Sequence, residues 1–244
     1  MKDRFLGIKF FNKVYKSFIV LYFIIFSIPI VAQDSIPKYS GDLKYREDQF
    51  YIGITYNLLI SNTNNISSQG LSGGLNFGFI RDMPINKKRN ISFGAGAGFS
   101  FDQYGSNLQI LKNEESQSVF NIISNDVRYK YNRLQTATIE APIEFRWRTS
   151  SPTSYKFWRV HLGFRIGYTF WYRSRFNDYS NSITNSDIDE FEKIRFGTTL
   201  SLGYNKFNLF AYYGLNQFFN EAQTSDHETV DYKNFNIGLI FYIL

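Results

Sequence analysis

Between residues 137 and 148 the side chains change character at every step. Ala137, Ile139, Ala141, Ile143, Phe145 and Trp147 form one series, while Thr138, Glu140, Pro142, Glu144, Arg146 and Arg148 form the other. A period of two belongs to an extended strand with two unlike faces, and no helix can present it. The pattern recurs at once. Trp158, Val160, Leu162, Phe164, Ile166, Tyr168 and Phe170 oppose Arg159, His161, Gly163, Arg165, Gly167 and Thr169. Further on, Ile194, Phe196, Leu200 and Leu202 oppose Arg195, Gly197, Thr199 and Gly203, and Phe235, Ile237, Leu239, Phe241 and Ile243 oppose Asn234, Asn236 and Gly238. Earlier runs behave alike, with Ile52, Ile54 and Tyr56, then Leu75, Phe77 and Phe79, then Phe93, Ala95, Ala97 and Phe99 on the apolar side.

Which face points inward decides the fold. A water-soluble sandwich or barrel would bury the apolar series. Here the charges share their face with glycines, Gly94, Gly96, Gly98, Gly163, Gly167, Gly197 and Gly203 among them. Small residues between charged ones suit a crowded concave interior better than an open surface. Aromatics flank the runs, with Phe50, Tyr51, Trp147, Phe157 and Trp158 at one end and Trp171 and Tyr172 at the other. That is the layout of two interfacial girdles. Aromatics make up 19% of the 244 residues, yet mean hydropathy is only −0.28, because a polar lumen cancels a lipid-facing surface.

The predicted strands are 50–59, 70–82, 90–101, 135–148, 156–173, 190–204, 207–219 and 231–244. Eight is even, and the connectors alternate in length. Those at 60–69, 102–134, 174–189 and 220–230 are long; those at 83–89, 149–155 and 205–206 are short. The expected fold is all-β: an eight-stranded antiparallel transmembrane β-barrel of the outer-membrane type, with long loops outside and short turns in the periplasm.

The N-terminal segment reads as an export signal. Lys2, Arg4, Lys9, Lys13 and Lys16 precede an uncharged apolar run at 18–31, and Ala32 follows. A basic start, a short apolar stretch and a small residue describe a secretory signal peptide. The run is short for a spanning helix, which needs ~20 apolar residues, and Pro29 would interrupt it; the alternative is an uncleaved N-terminal anchor helix. The expected organisation is a signal peptide at 1–32, a periplasmic linker at 33–48 and the barrel at 49–244. The formal charge of +6 does not mark a nucleic-acid binder, since without the N-terminal segment the chain holds 22 basic and 20 acidic residues.

Chemistry-bearing motifs are few. With no cysteine, thiolate catalysis, thiolate metal sites and disulfides are excluded. Gly94-Ala95-Gly96-Ala97-Gly98 resembles a phosphate loop only superficially, because its glycines repeat every second residue inside a strand and no helix follows. His161 falls on the polar face near Glu144, and His227 falls in a loop, Asp226-His227-Glu228. Neither has metal-ligand spacing. No catalytic, cofactor-binding or metal-binding residue is assigned. Glu140, Glu144, Arg146, Arg148, Arg159, Arg165 and Arg195 are expected to form a structural charge network in the lumen, because an unpaired charge there would be costly.

Several segments are similar to the PorT family of the type IX secretion and gliding-motility apparatus. They are Gly70-Leu71-Ser72-Gly73-Gly74, Phe77-Gly78-Phe79-Ile80-Arg81-Asp82-Met83-Pro84-Ile85-Asn86, Glu140-Ala141-Pro142-Ile143-Glu144-Phe145-Arg146-Trp147-Arg148-Thr149, Tyr155-Lys156-Phe157-Trp158-Arg159 and Ile237-Gly238-Leu239-Ile240-Phe241-Tyr242-Ile243-Leu244. The resemblance implies an outer-membrane protein of Bacteroidetes-type bacteria. It also implies a non-enzymatic part in exporting proteins that carry a C-terminal sorting signal, with other envelope components and outer-membrane lipids as partners. It brings no catalytic residues with it. The alternatives are a barrel hydrolase acting on lipid A or peptides, with His227 in its site, and a general structural barrel or adhesin.

Overall fold

The computed structural model describes residues 48–61, 66–124, 126–149, 158–204 and 207–243. The expected signal peptide, and the expected linker up to residue 47, lie outside these. Eleven strands occur among the described residues: β1 (Gln49–Ser61), β2 (Gly73–Pro84), β3 (Ile91–Gly105), β4 (Leu108–Lys112), β5 (Ser118–Ile122), β6 (Tyr131–Arg148), β7 (Trp158–Asn177), β8 (Ser182–Asn185), β9 (Ile194–Tyr204), β10 (Phe207–Gly214) and β11 (Tyr232–Ile243). Eight of them run in the order β6-β3-β2-β1-β11-β10-β9-β7, and β6 pairs with β7 to close the barrel. Every pairing is antiparallel. Closure leaves no sheet edge in the membrane, where an unpaired backbone amide would have no water to bond.

The alternating faces take the expected directions. Ile54 is 63% exposed and Leu209 62%, whereas Asn57, Asp82 and Asn208 are 0% exposed inside the ring. On β1 the outward series runs from Phe50 through Ile52, Ile54, Tyr56 and Leu58 to Ile60. That is about the 9–11 residues a tilted strand needs to cross a bilayer. At Ala137/Thr138 the β6–β7 register shifts, and Phe170 and Trp171 both end up exposed towards lipid at the long-loop end. Two expected girdle residues point the other way. Tyr51 is 1% exposed within the lumen, and Tyr172 packs on buried loop residues.

Glycines make the lumen fillable. A Cβ on Gly98 would stand 2.1 Å from the Tyr51 hydroxyl, and one on Gly197 would stand 2.3 Å from the Tyr212 ring. Tyr51 and Tyr212 therefore each lie over a glycine of another strand. Pro142 also faces inward, and the β3–β6 ladder lapses beside it, between Ala95↔Ile143 and Gly98↔Glu140. Proline has no amide hydrogen to give to a neighbouring strand.

The long connectors differ most from expectation. The hairpin β4–β5 and the short β8, which extends the β7 side, form within them. β10 stops at Gly214, five residues short of the predicted end, because the chain turns there to bury Phe218 and Phe219. Leu108, Ile110, Phe120, Ile188, Phe191, Phe218, Phe219, Ala222 and Val230, from three connectors, pack with Tyr104, Leu134 and Tyr232 of the strands into one apolar core. The long-loop end of the barrel thus carries a folded cap.

Candidate functional site

The lumen is built in three levels. At the turn end, Asp82 of β2 is the hub. Its Oδ2 lies 3.0 Å from Arg148 Nη1, and its Oδ1 lies 3.5 Å from Arg146 Nη1 and accepts the Ser92 hydroxyl at 2.7 Å. Arg146 Nε also donates to Glu144 Oε2 at 3.0 Å. His161 Nδ1 stands 3.7 Å from the same Glu144 oxygen and 3.2 Å from the Tyr242 hydroxyl. Arg159 is buried at this level, directly opposite Arg148 in the β6–β7 register.

In the middle, Glu140 Oε2 accepts from Arg165 Nη1 at 2.8 Å, and the Ser100 hydroxyl donates to Oε1 at 3.0 Å. The Arg165 guanidinium also lies 4.9 Å from the Phe210 ring centre and 5.5 Å from that of Tyr51. Stacking of this kind suits a weakly hydrated planar cation. Asp102 accepts from Asn57 at 2.8 Å. Tyr51, Ile80, Phe210, Tyr212 and Ile240 form an apolar patch inside the wall. The lumen is therefore a mixture of ion pairs and packed rings.

Arg195 belongs to the third level, and it departs from the expected pairing. No carboxylate forms an ion pair with it among the described residues. It donates instead to the Gln217 and Asn216 carbonyls and to Asn234 Oδ1, and it lies 4.0 Å from the centre of the Phe218 ring. This guanidinium ties the 215–231 connector into the barrel mouth. Above it the cap closes, with Tyr172 stacked on Phe191 at 4.0 Å and Phe120 against Phe219 at 5.1 Å.

What remains open between the middle level and the cap is a cavity of ≈ 30 Å³, lined by Asp102, Glu140, Arg165 and Arg195 among others. That is room for about two water molecules. An eight-stranded barrel is only wide enough for side chains to fill, and here they fill it.

Seven charged residues were expected in this network, and the structure adds two carboxylates, Asp82 and Asp102. Their signal was parity. On β2 the inward series Gly74, Asn76, Gly78 continues to Ile80 and Asp82, and on β3 the series Gly98, Ser100 continues to Asp102. His227 lies in an exposed turn of the cap with φ 61°, where its backbone amide donates to the Thr224 carbonyl at 2.9 Å. No serine or carboxylate is brought to its ring among the described residues.

Residues 31–220 match the family described as outer membrane protein beta-barrel domain. The chain belongs to that family. An outer-membrane barrel it is, then, with its lipid-facing band, lumen and loop cap now on view. Two solved structures resemble it, both of Ail, the attachment invasion locus protein of Yersinia pestis. The one in complex with the heparin analogue sucrose octasulfate is 14% identical, with a TM-score of 0.35, covering 81% of this chain and 99% of Ail. The other is also 14% identical, with a TM-score of 0.33, covering 80% and 97%. No curated protein matches.

Proposed function

We propose that this outer-membrane barrel transports nothing through its own lumen and acts through its surfaces. In this reading it is a non-enzymatic component of the type IX secretion machinery of a Bacteroidetes-type bacterium. The observation that carries the first half is the double closure: ion pairs at the turn end, a folded apolar cap at the loop end, and ≈ 30 Å³ of space between them. A lumen of that kind passes neither a protein nor a sugar.

The secretion role rests on the resemblance, and the geometry gives the resemblance a physical content. Its two most specific segments, Arg81-Asp82-Met83-Pro84 and Glu144-Phe145-Arg146-Trp147-Arg148, lie on β2 and β6, which do not pair with each other. They meet inside the barrel, where Asp82 pairs with Arg146 and Arg148. In this chain the two segments are therefore joined by a tertiary interaction. Partners would be other envelope proteins of the machinery, held through the cap, the turns or the lipid face, with outer-membrane lipids around the strands. No nucleic acid and no cofactor enter this reading.

Deletion of the gene is the test. Proteins with the C-terminal sorting signal should accumulate in the periplasm whatever their own activities, and gliding should fail where the organism glides. His227→Ala should leave secretion intact, because a lone imidazole has no partner for acid–base work. Secretion that proceeds normally without the chain overturns the role. A lipid A or peptide mass change abolished by His227→Ala would make it a hydrolase.

A further inference from the structure

The outward face of β6 and β7 holds three arginines at the loop end. Arg133 and Arg175 stand directly opposite each other across the pair, and Arg173 stands opposite Gln135. Like charges in directly opposed positions repel, and sheets ordinarily avoid them. Among the described residues no carboxylate forms an ion pair with any of the three. Asp178, the acid nearest in sequence, turns away, its Oδ1 accepting from the Ser180 and Asn181 amides at 3.0 and 2.6 Å.

Two of the three side chains are held in place all the same. Arg133 Nη1 donates to Gln103 Oε1 at 3.2 Å, and its guanidinium lies 4.4 Å from the centre of the Tyr131 ring. Arg173 Nη2 donates to Gln135 Oε1 at 3.3 Å and lies 5.0 Å from the Trp171 ring centre. The Nε atoms of Arg133, Arg173 and Arg175 are all buried without a hydrogen-bond partner. Three guanidiniums on one shared face, two of them anchored and none with a carboxylate partner among the described residues, call for an anion.

Their height says which anion. Phe101, Phe170 and Trp171 are the last large apolar residues facing lipid on this side, at 44%, 53% and 40% exposure. Arg173 and Arg175 follow Trp171 by two and four residues on the same face. With ~3.3 Å per residue and a tilt of ~40°, the cluster stands roughly 5–10 Å beyond the aromatic girdle. That is the headgroup layer on the side of the long loops, the outer leaflet.

We propose that Arg133, Arg173 and Arg175 form a binding site for the phosphorylated headgroup of an outer-leaflet glycolipid. A phosphate seated between β6 and β7 takes forked donors from two or three guanidiniums, the geometry that makes arginine the preferred residue for such groups. Acyl chains then run down the wall past Trp171, Phe101 and Phe170. The bound anion also removes the Arg133–Arg175 repulsion, so the membrane completes this part of the sheet. The site is separate from the lumen and does not depend on the secretion role.

Trp171 is a built-in reporter. In a Trp147→Phe/Trp158→Phe background it is the only tryptophan, since the chain has three. The full-length barrel, folded in detergent, is titrated with diphosphorylated lipid A, with dephosphorylated lipid A and with inorganic phosphate while Trp171 fluorescence is followed. The diphosphorylated lipid should saturate the signal, and removing its phosphates should weaken binding at least tenfold. Arg133→Gln/Arg175→Gln should weaken it at least tenfold too, with unchanged heat-modifiable migration as the folding control. Arg175→Lys, which keeps the charge but loses the fork, serves as a milder variant and should fall between. Equal affinity for dephosphorylated lipid A, or no loss in either arginine variant, overturns the site. Inorganic phosphate binding as tightly as the lipid overturns the lipid assignment and leaves a simple anion site.

Discussion

Asp82→Asn is the sharpest test of the lumen as a structural plug. Asp82 is 0% exposed, and its two oxygens serve Arg148, Arg146 and Ser92. Asparagine keeps the shape and removes the charge. Arg146 retains Glu144 at 3.0 Å, so the main loss is the Arg148 pair. Removing one partner of a buried pair typically costs ~3–5 kcal/mol, because the other charge stays buried. On the scaling of soluble domains of 150–250 residues, that lowers the melting temperature by roughly 6–20 °C. The measurement is heat-modifiable gel migration of the refolded barrel over a temperature series. Pairing Asp82→Leu with Arg148→Met tests the cause. Replacing both members of a buried pair by apolar residues is often neutral, so the double variant should melt above Asp82→Asn. A single substitution costing under ~1 kcal/mol, or a double variant whose cost equals the sum of its singles, would refute the pairing as a source of stability.

Other expectations follow from the same geometry. With single cysteines in a chain that has none, an impermeant reagent on intact cells should label Glu115→Cys in the β4–β5 turn and spare Lys88→Cys in the β2–β3 turn; the opposite pattern inverts the topology. Phe219→Ala removes a 1%-exposed ring from the cap and should cost ~3–5 kcal/mol there. Limited proteolysis should then cut the connectors faster while the barrel keeps its folded migration, and equal rates would mean that the cap is not a packed unit. Gly197→Leu would drive a side chain into the Tyr212 ring and should lose ~1–3 kcal/mol by overpacking, which Tyr212→Ala in the same chain should partly restore.

Strand order, strand number and facing were legible because a membrane barrel writes them with a period of two. Legibility failed where that period stops. The cap is made of residues such as Ile188, Phe191, Phe218, Phe219 and Val230, spaced irregularly along two connectors. Nothing local distinguishes a loop apolar residue that meets a core from one that does not. The clue was cumulative: connectors facing water carry too many large apolar side chains to stay extended. Asp82 and Asp102 are a different case. Both sit in phase with inward series already recognised, and carrying the parity to the strand end would have placed them. Arg195 could not have been placed by pairing rules, since its acceptors are the carbonyls of Asn216 and Gln217 in an irregular segment.

The division between inside and outside bears on where this barrel acts. The inward charges of the turn end answer one another within the chain: Asp82 with Arg146 and Arg148, and Glu144 with Arg146. Under the proposed reading these residues serve stability. At the loop end of the lumen Arg195 is answered by carbonyl and amide oxygens, whereas on the outer face Arg133, Arg173 and Arg175 have no carboxylate partner among the described residues. A substitution in the plug should therefore lower the folded amount and reduce activity only in proportion. One on the outer arginines should leave the amount unchanged and alter what the barrel holds. Measuring folded barrel and secretion together in Asp82→Asn and in Arg133→Gln/Arg175→Gln separates the two. Under the proposed secretion role, a plug variant that folds to the normal amount yet fails to secrete would move function into the lumen and refute this division.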